Sequence, residues 1–168
     1  STGALSGIPG EADVGTTANI VVSVSDGITN TALPPFNLTV IPANKPPVIG
    51  GTPATSVEAG TLYLFTPTAS DPDDATVLSF SISHQPAWAT FSTSTGVLSG
   101  TPSEADVGTT DNIVIQVSDG SLSAELAPFS LTVLPANKPP VIGGTPATSV
   151  EAGTLYNFVP TASDPDEG

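Results

Sequence analysis

The chain has 168 residues, and its 16 acidic side chains against Lys45 and Lys138 give a formal net charge of −14. That balance repels nucleic-acid phosphates and anionic membrane surfaces and favours cations as small partners. There is no cysteine, which excludes disulfides and thiolate metal sites, and 38% hydrophobic against 11% charged residues is not the composition of a disordered chain.

Residues 1–43 read as the back half of a repeat: a turn at residues 1–3, a loop PGEADVGTT, then NIVVSVSDG and LPPFNLTVIP as two strands. Asp26-Gly27 marks the turn between them. Residues 42–63, PANKPPVIGGTPATSVEAGTLY, then recur unchanged at 135–156, 93 residues later. Sliding the chain by 93 lays residues 1–75 over 94–168, with 57 of the 75 pairs identical. A period this long is close to a whole sandwich domain and too long for a solenoid unit, so each repeat is expected to fold alone. The chain therefore divides into the C-terminal half of a repeat (1–43), a complete repeat (44–136) and the N-terminal half of the next (137–168).

Within the complete repeat, Pro46 and Pro47 favour an extended start. TLYLFTPTAS follows as a strand with Leu62 and Leu64 on one face and Tyr63 and Phe65 on the other, which predicts an inner strand. LSFSISHQ alternates cleanly, placing Leu78, Phe80 and Ile82 on one face. QPAWATF carries the sole tryptophan, Trp88, and GVLSGTP is a short strand ended by Pro102. NIVIQVSDG points Ile113, Ile115 and Val117 inward, and APFSLTVLP does the same with Phe129, Leu131 and Val133. About seven short strands with frequent turn signals and no helical period predict an all-β fold of tandem Greek-key β-sandwich repeats. No run of 18 apolar residues exists, and STGALSG lacks a basic leader, so neither a membrane helix nor a signal peptide is expected in this window.

The runs DPDDATVLSFSI, PAWATFSTSTGVLSGTPSEADVGT, IVIQVSDG and LTVLPANKPP resemble the dystroglycan-type cadherin-like repeat. That family is close to the immunoglobulin-like repeats of bacterial surface proteins. The resemblance covers the whole period and implies an extracellular cadherin-like sandwich strung in tandem, in large adhesins or in secreted polysaccharide-degrading proteins. It also implies calcium between successive domains. Asp71-Pro72-Asp73 resembles the family's Asp-x-Asp, Asp119 its later aspartate, and Glu58 the glutamate near the domain start. Glu104 and Asp106 replace the Asp-Arg-Glu element. Asn44 and Asn137 match the last linker asparagine, but the two linker aspartates are absent and a lysine follows.

Calcium takes six to eight hard oxygens in flexible geometry. On the resemblance, one cage would use Glu11, Asp13, Asn44, Asp71, Asp73 and Asp119, and a second Glu58, Glu104, Asp106, Asn137, Asp164 and Asp166. Clustered carboxylates repel one another unless a cation compensates. The plainer reading stands beside it: Asp26-Gly27 and Asp119-Gly120 are ordinary turn dipeptides, and an acidic surface keeps an array soluble.

Trp88 could stack a sugar, but a tryptophan after a proline in a sandwich reads first as core edge. His84 is the only histidine, and serines without a positioned base make no catalytic triad, so no enzyme is expected. Asn37-Leu38-Thr39 fits a glycosylation sequon but is read first as strand, since its counterpart is Ser130. The expected function is a structural, adhesive repeat extending a secreted or surface protein or extracellular filament. Its expected partners are neighbouring repeats of the same chain, other surface proteins or glycans, with no nucleic acid and no membrane insertion. The alternatives are a carbohydrate-binding accessory module and a self-associating fibre subunit. The incomplete ends read as a window cut from a longer array; joined, they would supply 75 of 93 positions and lack the counterpart of residues 76–93. Their open edges keep swapped assembly in view.

Overall fold

The computed structural model describes residues 3–73 and 77–166. The turn expected at residues 1–3 falls mostly outside them, as do residues 74–76 of the DPDDATVL run. Two units form, Ser1–Lys45 and Pro46–Gly168.

In the first unit, a 3-10 turn at Glu11–Asp13 precedes β1 (Gly15–Ile20), β2 (Ser23–Ser25), β3 (Asn30–Ala32) and β4 (Phe36–Val40). β1 pairs with β4 and β2 with β3, both antiparallel. Each of the two expected strands is thus broken in two, and the first starts earlier than expected. The first break is a bulge between Thr17 and Ile20, where Asn19 adopts φ 58°, a left-handed conformation that asparagine tolerates. The second falls at Pro34 and Pro35, which have no N–H to give a ladder. The Asp26-Gly27 turn joins β2 to β3 as expected, with Gly27 at φ 93°.

The second unit contains β5 (Val48–Gly50), β6 (Ser56–Glu58), β7 (Tyr63–Phe65), β8 (Thr68–Ser70), β9 (Ser79–Ser83), β10 (Thr90–Phe91), β11 (Leu98–Gly100), β12 (Gly108–Ser118), β13 (Ser123–Glu125) and β14 (Phe129–Leu134). β15 (Val141–Gly143) and β16 (Thr161–Ser163) follow and pair with each other. One layer is built on the long β12. Its first half pairs with β14, and its second half with β9 and β13. A bulge at Asn112, φ 56°, divides the two halves. The other layer comprises β10-β11-β7 and the β5-β8 pair.

A single core joins the layers. Tyr63, Phe65 and Leu98 pack against Phe80, Ile113, Ile115, Val117, Leu131 and Val133, so the alternation read in LSFSISHQ, NIVIQVSDG and APFSLTVLP points as expected. The inner-strand expectation for TLYLF is corrected. Leu62 and Leu64 are exposed, and β7 is an edge of its three-stranded sheet. β7 has a partner on one side only, and Pro67, which cannot donate, ends its ladder before a second is made.

The stretch PVIGGTPATSVE splits between the layers: β5 pairs antiparallel with β8, whereas β6 pairs parallel with β14. Because β6 and β14 run the same way, the chain arrives at one end of the sandwich and leaves at the other.

The repeated sequence supplies its own control. Leu98 is 0% exposed and its counterpart Leu5 68%; Leu131 is 1% exposed and Leu38 51%; Tyr63 is 3% exposed and Tyr156 44%. Identical residues are buried only where both layers are present. Leu98→Ala should therefore lower the stability of the complete repeat by about 2–5 kcal/mol, whereas Leu5→Ala should leave it unchanged. Urea denaturation read by the fluorescence of Trp88, which reports on the complete repeat alone, checks both.

Candidate functional site

The carboxylates of the complete repeat sort to its two ends through strand register. Asp71 and Asp73 follow Ser70, which pairs with Val48, and Asp119 follows Ser118; these lie at the end where the chain arrives. Glu58 pairs with Leu134, and the 3-10 turn Glu104–Asp106 leads into Gly108, opposite Val133, at the end where the chain leaves.

At the leaving end, carboxylates hold the linker main chain. The Ala136 amide donates to Glu104 Oε1 at 2.8 Å. The Lys138 amide donates to Asp166 Oδ2, and the Lys138 ammonium lies 3.6 Å from Asp166 Oδ1. Asp166 is itself placed by its own amide, which donates to Asp164 Oδ1 at 3.0 Å in the turn of Asp164-Pro165-Asp166. Glu58, Asn137 and Asp166 line one cavity of about 480 Å³ beside Lys138 and Pro165. Of the six residues expected at this junction, three therefore share a cavity, Glu104 is spent on the linker and Asp164 on its turn. Asp106 turns back on its own loop, accepting from the Ser103 amide at 2.8 Å and the Ser103 hydroxyl at 2.7 Å.

The residues of the other expected set divide between the units. In the first, the Ala43 amide donates to Glu11 Oε1 at 3.0 Å and the Gly10 amide to Asp13 Oδ2 at 2.9 Å, repeating the Glu104 and Asp106 contacts 93 residues earlier. Asn44 lies in the segment after β4. In the second, the Asp73 amide donates to Asp71 Oδ1 at 2.8 Å, while Asp71 Oδ2 is buried with no hydrogen-bond partner. Asp119 Oδ1 accepts the Ser121 and Leu122 amides, each at 2.6 Å, as a turn aspartate does. The oxygens that suit a hard cation are thus Asp71 Oδ2 and those of Glu58, Asn137 and Asp166. Among the described residues no three carboxylates gather at one point.

Two contacts were not anticipated from sequence: the Lys138 to Asp166 pair and the Glu104 clamp on Ala136. The first had a signal in the lone cation beside Asn137, and the second in the exact recurrence of Glu and linker at fixed separation.

The remaining candidates resolve into structure. Trp88 is half-buried and packs edge-on to Tyr63, with centroids 6.1 Å apart. A Cβ on Gly100 would come within 2.7 Å of the Trp88 carbonyl and 3.0 Å of Cε3, so β11 closes against the indole. Asn37 lies in β4, where its Oδ1 accepts the Asn19 amide at 3.0 Å and supports the bulge.

The Ser103 hydroxyl, followed by its amide, holds the Asp106 carboxyl below its ordinary 3.8. A depressed folded value contributes stability above that range, lost as pH falls through it. Ser103→Ala should raise the Asp106 midpoint toward 3.8 in an NMR titration, and an unchanged midpoint would contradict the assignment of cause.

Residues 46–134 match the family model described as "Putative Ig domain". None of the curated proteins matches the chain. Among solved structures, it is similar to a putative α-galactosidase from Bacteroides fragilis, with TM-score 0.40, 14% identity, and coverage of 54% of this chain and 17% of that one. A putative α-galactosidase/melibiase from the same organism gives 0.37, 17%, 54% and 17%. An endo-fucoidan hydrolase of glycoside hydrolase family 107 gives 0.39, 24%, 77% and 20%. The chain spans a fifth or less of each of these proteins.

Proposed function

This chain belongs to the "Putative Ig domain" family, and we propose that it is a structural, adhesive repeat of the cadherin-like kind, extending a secreted surface protein or an extracellular filament. The observation that carries this reading is the parallel pairing of β6 with β14. A sandwich whose chain arrives and leaves at opposite ends adds its length to an array when it is repeated.

The linker contacts give such an array a defined step. Glu104 fixes Ala136 from the repeat before the linker, and Asp166 fixes Lys138 from the half-repeat after it. Holding successive linker amides restricts the torsions through which neighbouring repeats would hinge. Calcium belongs to this proposal as the ion that Glu58, Asn137 and Asp166 would hold, with Asp71 at the other end; when bound it would neutralise carboxylates that now face one another or Lys138. Lys138 competes for the same carboxylate, which makes the site weaker than an all-oxygen cage. On this reading the chain is extracellular, has no catalytic role, and meets neighbouring repeats, surface proteins or glycans through its exposed faces.

Small-angle scattering tests the ion's part: maximum dimension and stiffness should rise with calcium and fall with chelator, and identical curves would remove calcium from the mechanism. A glycan screen tests the spacer reading itself. No specific ligand is expected, because the Trp88 ring is engaged by Tyr63 and β11; sugar binding lost in Trp88→Ala would put a carbohydrate-binding module in its place.

A further inference from the structure

The faces that the two half-repeats leave open are the two sides of one interface, and the complete repeat shows that interface closed. There, β6 lies parallel to β14, with Ser56, Val57 and Glu58 beside Thr132, Val133 and Leu134. β7 lies antiparallel to β11, with Phe65, Leu64 and Tyr63 opposite Leu98, Ser99 and Gly100. Shifting by the 93-residue period gives the equivalent residues in the flanking halves: Ser149, Val150 and Glu151 for Thr39, Val40 and Ile41, and Phe158, Asn157 and Tyr156 for Leu5, Ser6 and Gly7.

Ten of these twelve residues are identical to their templates. The exceptions are Ile41 in place of Leu134 and Asn157 in place of Leu64, and both template side chains face water in the complete repeat. No change therefore falls where packing would be lost. We infer that the 168-residue chain joins head to tail with a second copy, residues 141–166 of one docking on residues 3–41 of the next in the register given above.

The occupant is identified by sequence and by area. Leu5, Val24 and Leu38 on one half and Val150, Tyr156 and Phe158 on the other are exposed, while their counterparts in the complete repeat are buried. Burying these six to the same depth removes on the order of 400 Å² of side-chain surface. The main chain of two ladders and the flanking prolines carry the contact toward the roughly 1,200 Å² at which specific interfaces begin. The local conformation is already set, since the Tyr156 hydroxyl donates to the Ala147 carbonyl at 3.0 Å, as Tyr63 does to Ala54 at 3.1 Å. The counterpart of β9 is missing, so the edge at residues 21–25, equivalent to the β12 edge that β9 covers, stays open and the joint is weaker than an unbroken repeat. Two unlike faces meet, which makes the contact heterologous and the product an open chain rather than a closed dimer. The inference does not rest on any junction cation.

Sedimentation velocity of the whole chain in chelator tests it. The sedimentation coefficient should rise with concentration through successive species. Val150→Asp with Tyr156→Asp blocks one face, and Leu5→Asp with Leu38→Asp blocks the other. Each variant alone should sediment as a monomer, and an equal mixture should form a dimer and nothing longer. All four substitutions lie outside residues 46–134, so unchanged Trp88 fluorescence confirms that the complete repeat is intact. A wild-type chain that stays monomeric at every concentration, blocked variants that assemble like it, or a mixture that forms no dimer would overturn the inference.

Discussion

Everything in the complete repeat depends on β12 being covered. Ile113, Ile115 and Val117 reach full burial because Tyr63, Phe65 and Leu98 close over them from the opposite layer while β9 and β14 line its edges. Nothing in the local sequence secures this. NIVVSVSDG in the first unit has nearly the same residues and forms much the same hairpin, yet Val24 is exposed where Val117 is buried. Strand formation is local and tolerates an absent partner; burial is a property of the pair of layers. The two half-repeats are thus folded in outline and unsatisfied in surface.

The acidic residues follow a different logic from the one their number suggests. A chain with this excess of carboxylates and no arginine must either recruit cations or use its oxygens as hydrogen-bond acceptors. Most of those described at the linkers and turns do the latter. Glu11 and Glu104 take a linker amide, Asp13 and Asp106 the amide preceding a 3-10 turn, and Asp26 and Asp119 the amides of a hairpin turn. The backbone N–H groups of a proline-rich linker have few strand partners, and a carboxylate is the strongest acceptor available to them. Lys138 then balances the charge at Asp166.

The parts legible in the sequence are those governed by period and pattern. The recurrence located the linkers, and the alternation in LSFSISHQ and NIVIQVSDG named core residues correctly, because a period of two has one reading when one face is polar. TLYLF had two apolar faces and therefore no such constraint, and it was misplaced as an inner strand. Asn19 and Asn112 mark bulges that pattern reading passes over, since their left-handed backbone is visible only once β1 and β12 are paired. For the site, spacing assigned carboxylates to the correct ends of the sandwich. It gave no account of which oxygens were already engaged, because Glu104 and Ala136 are brought together by β14 and not by any nearness in the chain.

The parallel pairing of the first and last strands also decides how the repeat meets a pulling force. Tension applied through the two linkers drags β6 and β14 in opposite directions along their own axes. The rungs at Ser56, Val57 and Glu58 are then loaded together in shear instead of being peeled one at a time. A ladder of three residue pairs resists shear as a block, and it lies on the direct line between one linker and the other. The strand that leaves β5 to join the opposite sheet thereby gives the repeat a mechanical latch.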